Sequence, residues 1–172
     1  AFRDANFPFK NYRVLDMAAW ELGKKQNATK RLLAQYKENL DVWLPEEIYK
    51  WRAVKCFQDH WNPDADDFAQ MLNDSLAQSS NLLDCGYAYP RKMITYFAEA
   101  EPETVRRMFK ELFAEALPLT GRISAFSLEA DGLLARHKTK ASMKRHYQSD
   151  RTICTYLFFA APTQYYLYQF RK

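Results

Sequence analysis

The segment from Arg136 to Lys172 reads RHKTKASMKRHYQSDRTICTYLFFAAPTQYYLYQFRK. The predicted fold class depends on the structure that this C-terminal segment forms. Its second half contains two runs, Thr152–Phe159 and Gln164–Arg171, that are rich in aromatic and β-branched residues. Such runs favour β-strands. Pro162 lies between them, where a residue without an N–H removes no hydrogen bond from a ladder. The segment therefore predicts a C-terminal antiparallel β-hairpin.

Upstream of this segment, apolar residues recur at helical spacing. Pro45 with Glu46 and Glu47 is typical of a helix start, because proline loses no bond there and the carboxylates face the positive end of the helix dipole. The predicted helices are Val14–Lys24, Ala28–Leu40, Pro45–Trp61, Asp64–Gln78, Arg91–Ala100, Pro102–Leu117 and Leu119–Arg136. The predicted fold class is α+β, a helix-rich body with a C-terminal antiparallel β-hairpin.

Length and composition place limits on the class of protein. A chain of 172 residues, 48% of them hydrophobic, predicts one compact domain in which residues 1–44 form a helical segment and residues 45–172 the body. No apolar run reaches the roughly 18 residues of a membrane span. An odd count of three cysteines without a CxxC pair is typical of a reduced, cytoplasmic compartment. The start without Met suggests a piece of a longer polypeptide.

Residues 136–151, called the basic segment below, carry six Lys or Arg against one Asp, whereas the whole chain has a net charge of only +4. Cations on a displayed loop can neutralise phosphates, and interleaved aromatic rings can stack on bases. A second aromatic and basic cluster, Tyr87–Lys92, stands at a predicted helix start, which favours phosphate. The predicted DNA-binding residues are Lys138, Lys140, Lys144, Arg145, His146, Tyr147, Arg151, Tyr87, Tyr89, Arg91 and Lys92. From residue types alone, a solvated loop with core tyrosines remains an equal alternative.

Motifs for catalysis and metal binding are weak. The four glycines form neither a GxxxxGK[ST] nor a GxGxxG phosphate-binding pattern. Cys56 and His60 stand four apart on a predicted helix, with Cys85 as the only further thiol nearby in sequence, but a buried thiol and a surface histidine explain them more simply. The carboxylate pairs Asp66–Asp67 and Glu101/Glu103 occupy helix starts, where the dipole already accounts for them. We predict no catalytic residue, cofactor or metal.

Several runs of the sequence resemble a segment that precedes the motor in some McrB-type restriction proteins. The similarity covers residues 45–172 and leaves out the first 44. The runs that carry it are Tyr49–Trp61, Tyr89–Ile94, Pro102–Phe109, His146–Arg151, Tyr156–Phe158 and Pro162–Tyr168.

The resemblance implies a module of a bacterial defence protein that recognises DNA, often modified DNA, while an AAA+ motor and a partner nuclease act from outside this chain. We therefore expect a non-enzymatic DNA-recognition module that binds duplex DNA, with a flipped base as one way of reading a modification. Two alternatives stay open. One is a protein-interaction module that couples the motor to a partner through the aromatic hairpin, and the other is a small nuclease or nucleotide hydrolase.

Overall fold

The computed structural model describes residues 34, 35, 38, 40–84, 86–141 and 143–167, apart from the side chains of residues 40–46. The chain divides into two compact units, Ala1–Ile48 and Tyr49–Lys172, and the core and the cavity described below lie in the second. The helices with described bounds are α1 (Leu40–His60), α2 (Phe68–Ser75), α3 (Ser80–Leu83), α4 (Pro90–Ala100), α5 (Pro102–Phe113), α6 (Leu119–His137) and α7 (Asp150–Ala160). The predicted helix Val14–Lys24 lies outside the described residues.

The predicted β-hairpin is wrong, because the described residues contain no strand. The run Thr152–Phe159 lies inside α7, and the described part of Gln164–Arg171, which ends at Leu167, is turn and irregular backbone. Every residue of 152–159 except Cys154 is buried. A helix that is buried on almost all sides is apolar all round, and periodicity alone cannot distinguish such a run from a strand.

Local signals at the start of α7 favour the helix over the β-propensity of its residues. Ser149 is the N-cap, and its Oγ accepts a hydrogen bond of 3.4 Å from the Thr152 N–H. Asp150 follows in the first turn, where a carboxylate stabilises the positive end of the dipole. The Thr152 hydroxyl in turn donates to the Tyr147 carbonyl over 3.1 Å, which ties the preceding loop to the helix.

The observed bounds of α1 and α2 differ from the predicted ones, whereas those of α4 and α6 agree with them. α1 already includes Leu40, so the prediction that Pro45 starts this helix is wrong. α2 is shorter than predicted because Asp67 caps it, its Oδ1 accepting from the Gln70 N–H over 2.9 Å. α4 and α6 agree with the predictions to within one residue, since their bounding prolines and apolar spacing act locally.

The core is built around aromatic rings contributed by α1, α5, α6 and α7. The Phe109 ring of α5 lies 5.2 Å from Phe126 of α6 and 5.2 Å from Tyr156 of α7, measured between centroids. Trp61, just after α1, lies 5.3 Å from the same ring. Leu128 of α6 is 72% exposed although it is apolar, because the buried positions Phe126 and Ala130 lie on another face of the helix.

A buried arginine connects three of these elements. Arg122 of α6 is only 6% exposed, and its Nη1 donates to the Leu112 carbonyl at the C-terminal end of α5 over 2.7 Å. Its Nη2 donates to the Tyr165 hydroxyl after α7 over 3.1 Å. A cation at a helix C-terminus is stabilised by the negative end of the dipole, which compensates for the absence of a carboxylate partner in the described part of the chain.

We predict that Arg122→Met lowers the free energy of unfolding by about 1–3 kcal/mol, because it leaves a buried carbonyl without its donor. Urea unfolding followed by circular dichroism measures the change. Arg107→Met is the control, since Arg107 is half exposed and forms surface ion pairs that contribute about 0–1 kcal/mol. Equal losses for the two variants would show that the Leu112 contact contributes nothing specific.

Candidate functional site

A cavity of about 510 Å³ opens beside the N-terminus of α7, and we call it the α7 cavity. Apolar residues from α3, α4, α6 and the loop before α4 form much of its wall: Leu82, Leu83, Ala88, Pro90 and Leu134. The loop that leads into α7 forms the other wall and contributes His146, Tyr147 and Gln148. The volume lies within the range typical of small-molecule sites.

Cations of the basic segment surround this cavity. Lys144, Arg145 and Arg151 line it with exposed side chains. Lys138 and Lys140 are exposed on the loop that leads from α6 toward it. In the described part of the chain, none of these five side chains lies within ion-pair distance of a carboxylate. The structure thus brings three of the predicted phosphate-binding cations to one site and leaves all five unneutralised.

The neighbours of His146 favour one tautomer of its ring. Its Nδ1 accepts a hydrogen bond of 2.9 Å from the Gln148 N–H, so the ring proton resides on Nε2. Nε2 lies 3.3 Å from Oδ1 of Asp131 on α6. Burial lowers the pKa of His146 below its usual 6.5, and the Asp131 charge only partly opposes this effect. The imidazole therefore lies between the backbone of the loop and the carboxylate of α6.

Gln148 anchors the loop to the core and has no exposed surface. Its Nε2 donates to the Pro90 carbonyl over 2.9 Å, and its Oε1 accepts from the Tyr156 hydroxyl over 2.8 Å. Pro90 begins α4 and Tyr156 lies in the middle of α7. One amide therefore fixes the loop against two helices, and it determines where the adjacent His146 and Tyr147 stand.

Tyr147 adopts an unusual backbone conformation, with φ of 59°. A non-glycine residue in this left-handed region costs about 1–2 kcal/mol and persists only where its surroundings enforce it. The flanking contacts do so here, because Gln148 is anchored in the core and the Tyr147 carbonyl accepts from Thr152. In this conformation Tyr147 is half-buried and lines the cavity.

The predicted cluster Tyr87–Lys92 borders the same cavity, but the four residues predicted from it do not line it. Tyr87 is 96% exposed, and the Lys92 Nζ lies 5.0 Å above the Tyr89 ring. Arg91 donates from its backbone N–H and its Nε to the two carboxylate oxygens of Asp84, over 3.1 and 3.3 Å. Its charge is therefore balanced within the fold, whereas Tyr87, Tyr89 and Lys92 remain on the surface.

Arg136 and His137 belong to the last turn of α6 and not to a free loop. Glu101 accepts from Arg136 through Nε at 2.7 Å and Nη2 at 3.0 Å, from His137 Nε2 at 2.6 Å, and from the Thr104 hydroxyl at 2.8 Å. The Arg136 bonds, followed by those of His137 and Thr104, lower the pKa of Glu101 to about 2. Glu101 therefore does more than face the helix dipole, because it binds the last turn of α6, where the basic segment begins.

The candidate metal residues form a local hydrogen-bonded pair. The Cys56 thiol donates to the Asp74 carbonyl over 3.3 Å, and His60 Nδ1 lies 2.8 Å from the Cys56 carbonyl oxygen. Cys85 lies outside the described residues. Among the described residues, no three His, Cys, Asp or Glu side chains are grouped so that they could hold a metal ion.

Sequence reasoning missed two residues of this site, Gln148 and Asp131. Gln148 stands in a polar run, and nothing in its spacing distinguishes a buried amide from an exposed one. Asp131 is an ordinary acidic position on an amphipathic helix. Its approach to His146, 15 positions later in the chain, results from the packing of α6 beside the loop before α7.

We predict that Gln148→Met lowers the free energy of unfolding by about 2–4 kcal/mol, because the Tyr156 hydroxyl and the Pro90 carbonyl both lose their partner at unchanged side-chain volume. Urea unfolding measures the change. Gln164→Met, at an exposed glutamine, is the control and should change stability by no more than about 0.5 kcal/mol. A Gln148→Met protein as stable as wild type would show that the amide does not anchor the loop.

We predict that Glu101 makes stability depend on pH in the acid range. Its pKa is lower in the folded chain than the usual 4.5, so its contribution is complete above pH 4.5 and is lost as the pH falls toward 2. The stability difference between wild type and Glu101→Gln should therefore shrink over this window in thermal unfolding. Glu99→Gln, an exposed acid on α4, is the control. A difference that stays constant down to pH 2 would contradict the ion-pair assignment.

Within the described part of the chain, no helix has both the length and the apolar composition that a membrane crossing needs. Comparison of the chain with protein-family models, with curated proteins and with solved structures gave no match in any of the three.

Proposed function

We propose that this chain is a non-enzymatic DNA-recognition module of a McrB-like restriction protein, in which the basic segment binds phosphates and the α7 cavity receives a base. The observation that carries the proposal is the placement of unneutralised cations around a cavity that is also lined by two aromatic residues. Lys144, Arg145 and Arg151 line this cavity together with Tyr147 and His146.

The charge distribution favours a polyanion over a small ligand. The five unneutralised cations are exposed and are spread along the loop from Lys138 to the first turn of α7. A single small anion would engage only one or two of them, whereas successive phosphates of a nucleic-acid backbone match a row of cations. The positive end of the α7 dipole adds to the potential at the cavity.

Phosphate contacts carry no information about the identity of a base. In the proposal, the cavity provides the contacts that distinguish one base from another. One part of its wall is apolar, which suits the face of a planar ring, and Tyr147 and His146 contribute rings on which a base can stack. A base inside a duplex reaches such a cavity only by rotating out of the stack. A modification would be read there, because the edges of the base are then accessible on all sides.

The resemblance to a segment ahead of the motor in McrB-type proteins supports this reading and implies that the other activities belong to other parts of such a system. The 172 residues contain no GxxxxGK[ST] motif, so NTP hydrolysis and DNA cleavage are assigned in the proposal to an AAA+ motor and a nuclease partner. The alternative, a protein-interaction module, depended on an aromatic hairpin that the described residues do not form.

We predict that the double variant Lys144→Ala/Arg145→Ala weakens binding to a duplex of mixed sequence. The slope of log K against log salt should fall by roughly two, because two phosphate contacts are lost. The loss should be similar for unrelated sequences, since phosphate contacts carry no sequence information. Fluorescence anisotropy with a labelled duplex at several salt concentrations measures both quantities.

Arg52→Ala/Lys55→Ala removes two exposed cations from α1 that do not line the α7 cavity and serves as the charge-matched control. Its slope should stay close to that of wild type. Equal effects of the two double variants would indicate binding through net charge alone, and absence of binding at low salt would overturn the proposed function.

A further inference from the structure

We infer that Asp131 is the base-reading residue of the α7 cavity and that the cavity prefers a base with an exocyclic amino group, such as cytosine or adenine, over thymine. The inference rests on the proposed function, because it names the class of base that the same cavity would accept. It depends on the position of one carboxylate within an otherwise cationic and apolar site.

Asp131 is the only carboxylate among the described residues that line the cavity. Its side chain is 66% exposed, so it remains accessible to a ligand. One of its oxygens faces the Nε2 of His146 at 3.3 Å, and the His146 side chain is only 16% exposed. The imidazole is held in turn by the Gln148 N–H. One oxygen of the carboxylate therefore lies beside the anchored loop at His146, and its other oxygen has no hydrogen-bond partner in the described part of the chain.

The chemistry of this oxygen determines which ligand it suits. An ionised carboxylate only accepts hydrogen bonds, and it pairs with the amino group of a base, as Asp and Glu do with cytosine N4. Thymine presents a carbonyl oxygen at that position, which repels a carboxylate. Its single ring N–H lies between two such oxygens, so the approach of Asp131 there is opposed from both sides.

The other polar groups at the cavity do not distinguish an amino group from a carbonyl. The Ser127 and Ser149 hydroxyls also line it, but a hydroxyl can donate to a carbonyl or accept from an amino group. The Thr152 hydroxyl donates to the Tyr147 carbonyl, and the Gln148 amide is engaged with Pro90 and Tyr156. Lys144, Arg145 and Arg151 are exposed, flexible donors that we assign to phosphates. The discrimination between an amino group and a carbonyl is therefore concentrated at Asp131.

The test compares duplexes of identical sequence that differ at one central nucleotide, dC or dT, placed opposite an abasic position so that leaving the stack costs little. The full chain should bind the dC duplex about tenfold more tightly than the dT duplex, the effect of one charge-assisted hydrogen bond. Asp131→Asn should bring the ratio close to one, because an amide can rotate to donate to the thymine carbonyl. Asp131→Ala should also abolish the preference while the dT duplex remains bound.

Asp66→Asn is the control, since it removes the same charge at an exposed position that does not line the cavity. It should retain the dC preference, and circular dichroism verifies that each variant is folded. A wild-type ratio near one, or a ratio that survives in both Asp131 variants, overturns the inference. Salt-dependent binding that is weakened by Lys144→Ala/Arg145→Ala would then still support the proposed function. If neither duplex binds at low salt, both proposals fail.

Discussion

Burial of the Gln148 amide is the constraint on which the candidate site depends. An uncharged polar side chain without exposed surface is tolerated only where its donors and acceptor are satisfied. Gln148 meets this condition by bonding to the start of α4 and to the buried tyrosine of α7. Because these two bonds anchor Gln148 in the core, they hold the loop before α7 in place. They thereby also position the neighbouring residues His146 and Tyr147.

The site therefore combines anchored aromatic residues with exposed, flexible cations. His146 and Tyr147 are half-buried and held by backbone contacts, and Tyr147 takes a left-handed conformation that the anchoring enforces. The cations around them are exposed on long, flexible side chains. Rigid rings beside the cavity suit recognition of a defined shape, whereas flexible cations suit a backbone whose phosphates vary in position. This difference underlies the separate roles that we propose for base and phosphate contacts.

The sequence predicted the starts of α4, α5 and α6 well, because the signals there are local, but Pro45, an equally local signal, does not mark the start of α1. Pro90 and Pro102 mark helix starts, and the apolar spacing of α4, α5 and α6 identifies the faces that are buried. It failed at Thr152–Phe159, where residues favoured in strands form a helix. α7 is buried on nearly every side. Its aromatic and β-branched residues are therefore explained by their burial in the core and do not indicate a strand.

By itself, the sequence determined the concentration of positive charge in residues 136–151, the absence of a phosphate-loop motif and the helical character of the body. The tertiary structure alone decided which of those charges remain unpaired, since Arg136 binds Glu101 and Arg91 binds Asp84, whereas Lys144, Arg145 and Arg151 have no carboxylate partner in the described residues. It also decided that Asp131 meets His146. Charge is a property of composition, but pairing depends on distances between side chains from different helices, and only packing sets those distances.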